Sequence, residues 1–216
     1  MEENKELQNE TTVQTVEEQK TEPKKQGYFS GVFQKYKIKD VVFLAILSAV
    51  MLLTGGVMPL VTSVPLFGII QLAIGLQFSV IPAIGLMKVR KPGALLFMAL
   101  FSGVVLIFMF VPMFFCLSIC ALIAEVLAVL IFRGYKKDVA CWFAAAIYLP
   151  LSLPFLLAYF RIFGFASNGA AVQALTNPVW WVAVLISVAI LALTSLGAFI
   201  GVKITKELKK SGVIKK

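Results

Sequence analysis

Long apolar runs dominate the chain and predict membrane-spanning helices. Residues 41–87 contain no charged side chain, and residues 92–132 contain one, Glu125. A helix needs about 20 residues to cross the hydrocarbon core of a bilayer, so each run is long enough for two crossings. Breaks at glycine and proline give six predicted spans: 41–58, 66–87, 93–110, 112–132, 138–160 and 178–202. Pro150 and Pro154 predict a kinked or irregular helix in the fifth span.

Lysine and arginine residues cluster at alternate connections between the predicted spans. The clusters lie at 35–39, 88–91, 133–137 and 203–216, whereas the intervening connections carry a single positive charge, Arg161. Loops that are rich in Lys and Arg stay in the cytoplasm. The pattern therefore predicts an all-α integral membrane protein with six transmembrane helices and with both the N- and C-termini in the cytoplasm.

Polar tails flank this predicted membrane domain. Residues 1–34 are predicted to form a disordered cytoplasmic tail, because most of the segment is rich in Glu, Gln and Thr and poor in large apolar side chains. The membrane domain is predicted at 35–204. A basic cytoplasmic tail is predicted at 205–216.

The composition indicates that lipid is the solvent of the membrane domain. Hydrophobic residues make up 60% of the chain and charged residues 14%, whereas soluble domains have about 45–50% and about 25%. The predicted location is therefore the cell membrane. The net charge of +9 is spread over loop ends, which suits anionic lipid headgroups on the cytoplasmic leaflet rather than nucleic acid.

The residue inventory argues against catalysis. The chain has no histidine and three cysteines, and the cysteines lack the spacing of a zinc site or a disulfide framework. The sequence also lacks a GxSxG nucleophile motif and a GxxxxGK[ST] phosphate-binding loop. We therefore predict no catalytic residue, no metal site and no cofactor. The energy for any uphill transport is expected to come from a partner or an ion gradient.

Glu125 is the only acid in the interior of a predicted span, since Asp138 stands at the very start of the fifth. An ionised carboxylate near the centre of a bilayer costs about 2.5–3.5 kcal/mol, so its side chain should be neutral, paired or turned into the bundle. Two interpretations stay open. Glu125 binds substrate or a coupling ion, or it forms a buried structural pair with the basic residues at 133–137.

Other candidate ligands lie near the predicted outer surface. The connection 161–178 combines polar side chains with the aromatic residue that follows it, as in many small-molecule sites, although tryptophans also gather at membrane interfaces. Two glutamines inside the second span are expected to face the bundle. The predicted substrate-binding residues are Gln71, Gln77, Glu125, Arg161, Asn168, Asn177 and Trp180.

Small residues recur at a spacing of four, which lets lipid-immersed helices approach closely. Ala45 and Ala49 form AxxxA in the first span, and Gly197 and Gly201 form GxxxG in the sixth. A stripe of small residues also follows the fourth span: Cys116, Cys120, Ala124 and Ala128. Most of these positions are predicted to be helix contacts within the bundle.

Several segments resemble one family of membrane proteins. The stretch KDVVFLAILSA at 39–49 resembles the opening of the first helix in S components of energy-coupling factor (ECF) transporters. Three later segments resemble the Trep_Strep or MptD group of these proteins: IAEVLAVLIFRGYKK at 123–137, AYFR at 158–161 and GVKITKELKKSGVIKK at 201–216. The resemblance implies an ECF S-component-like bundle of six helices that binds a vitamin or related micronutrient from outside the cell.

The same resemblance implies partners. An S component associates with a coupling protein, the T component, and with two ATPase subunits. Ala45 and Ala49 would dock on the T component, and residues 59–65 would form a lid over the pocket. The predicted function is thus the substrate-binding membrane subunit of an ECF importer. The alternatives are a stand-alone small-solute carrier or channel that is not coupled to ATPases, and a scaffold or regulatory membrane protein without a ligand.

Overall fold

A computed structural model describes residues 35–55, 67–108, 111–163 and 179–212 of the protein. Those residues are helical and contain no strand. The helices are α1 Ile38–Thr54, α2 Ile69–Ile74, α3 Gln77–Val89, α4 Ala94–Leu106, α5 Val111–Phe132, α6 Asp138–Tyr148, α7 Ser152–Phe163 and α8 Trp180–Lys210. The tail predicted at 1–34, the lid predicted at 59–65, Asn168 and Asn177 lie outside the described residues.

Three helical stretches in the described parts of the chain are long and apolar enough to cross a membrane. They are Val111–Phe132, Asp138–Tyr159 and Trp180–Lys210. Helices α3 and α4 are apolar but shorter, with 13 residues each. The all-helical prediction is therefore confirmed for the described residues, and the three stretches are consistent with a membrane protein, whereas six crossings and the orientation of the termini stay predictions.

Two of the predicted spans are interrupted. A turn at Gly75 and Leu76 separates α2 from α3, and the Ser79 hydroxyl donates to the Gly75 carbonyl at 2.7 Å. Residues 149–151 separate α6 from α7 around Pro150, which has no amide hydrogen for the helical ladder. Pro154 lies in the first turn of α7, where an amide hydrogen has no intrahelical partner in any case.

Helix α8 packs most extensively against α3, and two glycines allow this close approach. A Cβ atom on Gly197 would lie 2.7 Å from the Leu76 carbonyl oxygen, and one on Gly201 would lie 2.6 Å from the Val80 carbonyl oxygen. The GxxxG motif of the sixth predicted span is therefore a contact within the bundle, as the spacing predicts.

Helix α5 lies between α4 and α6, and small side chains line its buried stripe. Cys120, Ala124 and Ala128 are fully buried on α5, as are Cys141 and Ala145 on α6. Large apolar side chains instead face outward on α1, α5 and α8. Small buried residues at a helix contact, with large apolar residues on the exposed faces, are typical of helices that are solvated by lipid.

Ionic contacts join three of the basic clusters at one end of the bundle. The Asp138 carboxylate, at the start of α6, forms ion pairs with Arg90 after α3 and with Lys206 on α8, the latter at 3.0 Å. The Lys209 ammonium group donates to the Met87 carbonyl at 2.8 Å, which satisfies a terminal acceptor of α3. These contacts define what we call the basic end of the protein.

The remaining basic cluster, at 35–39, also lies at the basic end. Asp40, at the start of α1 directly after this cluster, has its carboxylate 2.7 Å from the Lys91 ammonium group. Trp180 begins α8 and precedes Lys206 by 26 residues, or about 39 Å along a helix axis. The first turn of α8 is therefore at the opposite end of the bundle.

Candidate functional site

A pocket of about 480 Å³ opens between α7 and α8, at the end of the bundle opposite the basic end. Arg161 lies in the last turn of α7 and Trp180 is the first residue of α8. Both line this pocket, so the structure brings together two of the predicted substrate-binding residues. The other lining residues are Phe67, Leu153, Pro154, Leu157, Ala183, Val184, Ser187 and Val188.

The walls of the pocket that contains Arg161 and Trp180 are largely apolar, with a few polar groups. Arg161 supplies a guanidinium group and Trp180 an indole ring, whereas the Ser187 hydroxyl donates to the Ala183 carbonyl at 2.7 Å. Arginine presents several donors in a planar fork that fits carboxylate and phosphate groups. The arrangement therefore suits a small molecule with an apolar body and an anionic group.

The two predicted glutamines lie elsewhere. Gln71 on α2 is 3% exposed, and its side-chain oxygen accepts no hydrogen bond from the described residues. A buried amide oxygen of this kind is costly to leave unsatisfied. Gln77 is half-buried at the start of α3, beside Gly55 at the end of α1. Neither glutamine lines the pocket that contains Arg161 and Trp180.

Glu125 lies at the basic end and holds the start of α4. Its side chain is 5% exposed, and its two carboxylate oxygens accept hydrogen bonds from the backbone amides of Gly93 at 2.8 Å and Leu95 at 2.7 Å. Amides at a helix N-terminus lack intrahelical acceptors and carry partial positive charge, so they stabilise a carboxylate. Glu125 therefore caps a helix to which it does not belong. This geometry supports the structural interpretation, although the partners are backbone amides and the sequence does not predict them.

Tyr36 also stabilises the turn whose backbone amides bond to Glu125. The Tyr36 hydroxyl donates to the Pro92 carbonyl at 2.6 Å, and its ring packs edge-on against Phe97 on α4. Burial raises the pKa of Tyr36 well above its usual range, with the nearby Glu125 carboxylate as a second cause, so its phenol stays a donor near neutral pH. A Cβ atom on Gly93 would lie 3.1 Å from the Tyr36 oxygen, so glycine suits this close approach.

The small-residue motif of α1 faces away from the bundle. Leu44 and Ser48 are buried on the inner face, and the Ser48 hydroxyl lies 3.2 Å from the Met98 carbonyl of α4. Ala45 is half-buried and Ala49 is exposed. Large apolar neighbours on the same outward side are also exposed: Val42, Ile46, Val50 and Leu53. A shallow strip of small side chains is thus open to another helix.

A family model described as a hypothetical bacterial integral membrane protein (Trep_Strep) matches residues 38–210. The chain belongs to the Trep_Strep family. The match begins with the first residue of α1 and ends with the last residue of α8. No curated protein and no solved structure matches the chain. Membership in the Trep_Strep family shows an integral membrane protein and does not define its activity or its substrate.

The Trep_Strep protein has a second apolar cavity, of about 490 Å³, between α5 and α7. It is lined by Val111, Pro112, Phe115, Cys116, Ile119, Phe155 and Tyr159. Apart from the Cys116 thiol and the Tyr159 hydroxyl, its walls are hydrocarbon or aromatic. Groups of three or more His, Cys, Asp or Glu side chains that could hold a metal ion are absent from the described residues.

Proposed function

We propose that this member of the Trep_Strep family is the substrate-binding membrane subunit, or S component, of an ECF importer for a vitamin or related micronutrient. The observation that carries the proposal is the pocket containing Arg161 and Trp180, at the end of the bundle opposite the basic end. Because basic ends face the cytoplasm, such a pocket would open to the outside of the cell and receive an incoming solute.

The proposed topology has six crossings of the cell membrane, with both termini in the cytoplasm. Its support is the meeting of all four basic clusters at one end, through Asp40 and Asp138. Helices α2 and α3 together would form the second crossing, and α6 and α7 the fifth. The remaining crossings would be α1, α4, α5 and α8.

The proposed subunit binds solute and does not catalyse a reaction. The chain has no histidine and no phosphate-binding loop, so ATP hydrolysis is assigned to two ATPase subunits, which act through the T component. The proposed docking surface is the outward strip of α1 around Ala45 and Ala49. Support for this comes from the exposure of the strip, since small residues let helices from different proteins approach closely in lipid.

Replacing Ala49 with tryptophan should block docking. An indole ring on the outward strip would hold a partner helix away, and we expect about a tenfold loss of co-purifying T component and ATPases, equivalent to about 1.4 kcal/mol. The measurement is the amount of partner recovered with affinity-tagged protein from cells that express all the subunits. Ala192→Trp is the matched control, because Ala192 is exposed on α8. Equal recovery with both variants would contradict the proposed docking surface.

Replacing Arg161 with alanine should weaken solute binding. Removing the guanidinium group deletes charge-assisted hydrogen bonds to an anionic solute, and we expect about a tenfold lower amount of ligand retained on the purified protein. Mass spectrometry of the small molecules released from the protein measures this amount. Lys136→Ala, an exposed position at the basic end, is the control. Unchanged retention would reduce Arg161 to an interfacial anchor and would contradict the assignment of this pocket as the solute site.

The stand-alone carrier differs from this proposal in a measurable way. A carrier would move solute into liposomes without ATPases, and it would need a group in the membrane that binds a coupling ion. Glu125 is the acid in the interior of the predicted spans, and both of its oxygens already accept backbone hydrogen bonds. Solute uptake by the purified chain alone would therefore overturn the S-component proposal in favour of a carrier.

A further inference from the structure

A groove of about 230 Å³ lies between α6 and α8 at the basic end, separate from both cavities described above. Its lining residues are Asp138, Val139, Trp142, Phe199, Val202 and Lys206. One end of the groove is therefore charged, and the rest is apolar. The groove belongs neither to the proposed solute pocket nor to the proposed docking strip on α1.

The apolar part of the groove has a fixed aromatic wall. The Trp142 indole nitrogen on α6 donates to the Ser195 carbonyl on α8 at 3.0 Å, which holds the ring across the two helices. Phe199, one turn further along α8, is 60% exposed, and Val139 is 54% exposed. A concave surface of this composition, exposed on the side of a membrane protein, suits a hydrocarbon chain.

The charged end of the groove has an excess of positive charge. The Asp138 carboxylate is shared between Arg90 and Lys206. Lys203, on the same face of α8 as Phe199 and Lys206, is exposed, and so is Lys137 immediately before α6. Two cations pair with the Asp138 carboxylate, and two further exposed lysines adjoin the residues that line the groove, so this end of the groove attracts an anion.

We propose that this groove binds one anionic phospholipid. An acyl chain would lie along Trp142 and Phe199, and the headgroup phosphate would contact Lys206 and Lys203. Basic groups beside an apolar surface at the membrane boundary select anionic headgroups. A zwitterionic lipid would bring its own ammonium group to a rim that already has excess positive charge, so it should bind more weakly. The proposal requires only that the protein lies in a membrane and does not depend on solute transport.

Fluorescence quenching of Trp142 by brominated lipids tests the proposal at this site. Trp180→Phe and Trp181→Phe leave Trp142 as the single tryptophan of the full-length chain. The protein is placed in phosphatidylcholine vesicles with an equal small fraction of either phosphatidylglycerol or phosphatidylcholine that carries bromine on its acyl chain. We expect a roughly fivefold higher apparent affinity of the quenching site for the brominated phosphatidylglycerol. Equal quenching by both lipids would overturn the proposal, whatever the variants below show.

Two lysine variants separate the groove from a general attraction to the basic end. Lys206→Gln should abolish most of the preference for phosphatidylglycerol, because it removes the cation at the end of the groove. Lys210→Gln removes the same charge one turn further along α8, outside the groove and beside Glu207, and should keep the preference. Equal loss in both variants would reduce the effect to surface charge and overturn the site. Suppression of the preference by millimolar inorganic phosphate would also overturn it, by showing an anion site without the lipid chain.

Discussion

Replacing Glu125 with alanine should lower the free energy of unfolding by about 3–5 kcal/mol. The change removes two hydrogen bonds to a carboxylate and leaves the amides of Gly93 and Leu95 without an acceptor in a buried environment. It also removes negative charge from the N-terminus of α4. The measurement is thermal or chemical unfolding of the purified protein in detergent.

Two further variants define the cause of this loss. Glu207→Ala is the control, because Glu207 is exposed and pairs with Lys210 within one turn of α8, so a change below about 1 kcal/mol is expected. Glu125→Gln keeps one carbonyl acceptor but turns an amide donor toward a backbone donor, and its stability should be intermediate. A folded Glu125→Ala protein of normal stability that no longer retains solute would contradict the capping role and favour the ligand interpretation.

Replacing Gly201 with alanine should separate α8 from α3 and cost about 2–3 kcal/mol. A Cβ atom at this position would lie 2.6 Å from the Val80 carbonyl oxygen and 2.8 Å from the Ala83 Cβ atom. Neither neighbour can rotate away, because one is backbone and the other is directly attached to it. One of the two helices must therefore move, and Gly201→Leu should be more severe still.

The matched control is Gly55→Ala. The nearest atoms to a Cβ atom on Gly55 are side-chain atoms of Phe78 and Gln77 at 3.7 and 3.8 Å, and its φ of −70° is ordinary for alanine. We expect Gly55→Ala to change stability by less than about 1 kcal/mol. Equal melting temperatures for the two alanine variants would show that the α3–α8 contact tolerates expansion and would contradict the close packing.

The broad features of the fold follow from patterns that are visible in the sequence. Uncharged runs predict helices in lipid, and clusters such as Lys88–Lys91 predict one common end, because charge is costly inside the bilayer. The spacing of Gly197 and Gly201 predicts a close helix contact, since a motif four residues apart lies on one face. These predictions need no knowledge of distant contacts.

The site is less predictable because its contacts join residues that are far apart in the chain. Glu125 and Gly93 are 32 positions apart, and the lone acid in an apolar run gives no indication that its partner is a helix terminus. The Lys-Pro-Gly sequence at 91–93 indicates a turn, but no feature of the neighbouring sequence predicts that the Tyr36 hydroxyl bonds to the Pro92 carbonyl, 56 positions away. Arg161 and Trp180 do share a pocket, as their positions at the two ends of one predicted connection suggest.

The sequence also does not predict which face of each apolar helix is buried and which is exposed. In a soluble protein a polar stripe marks the exposed side of a helix, but here both sides are apolar. The exposure of Ala49 and the separation of Gln71 from the pocket that contains Arg161 and Trp180 therefore depend on packing. Asn168 and Asn177 stay predictions.

The bond between Lys209 and Met87 has a consequence for biosynthesis. It joins residues 122 positions apart, so α3 can acquire this bond only after Lys209 has left the ribosome. A nascent chain that stalls before α8 would lack this bond and would leave uncovered the surface of α3 against which Gly197 and Gly201 pack. We therefore expect α3 to be less stable in such an incomplete product than in the protein with α8 in place.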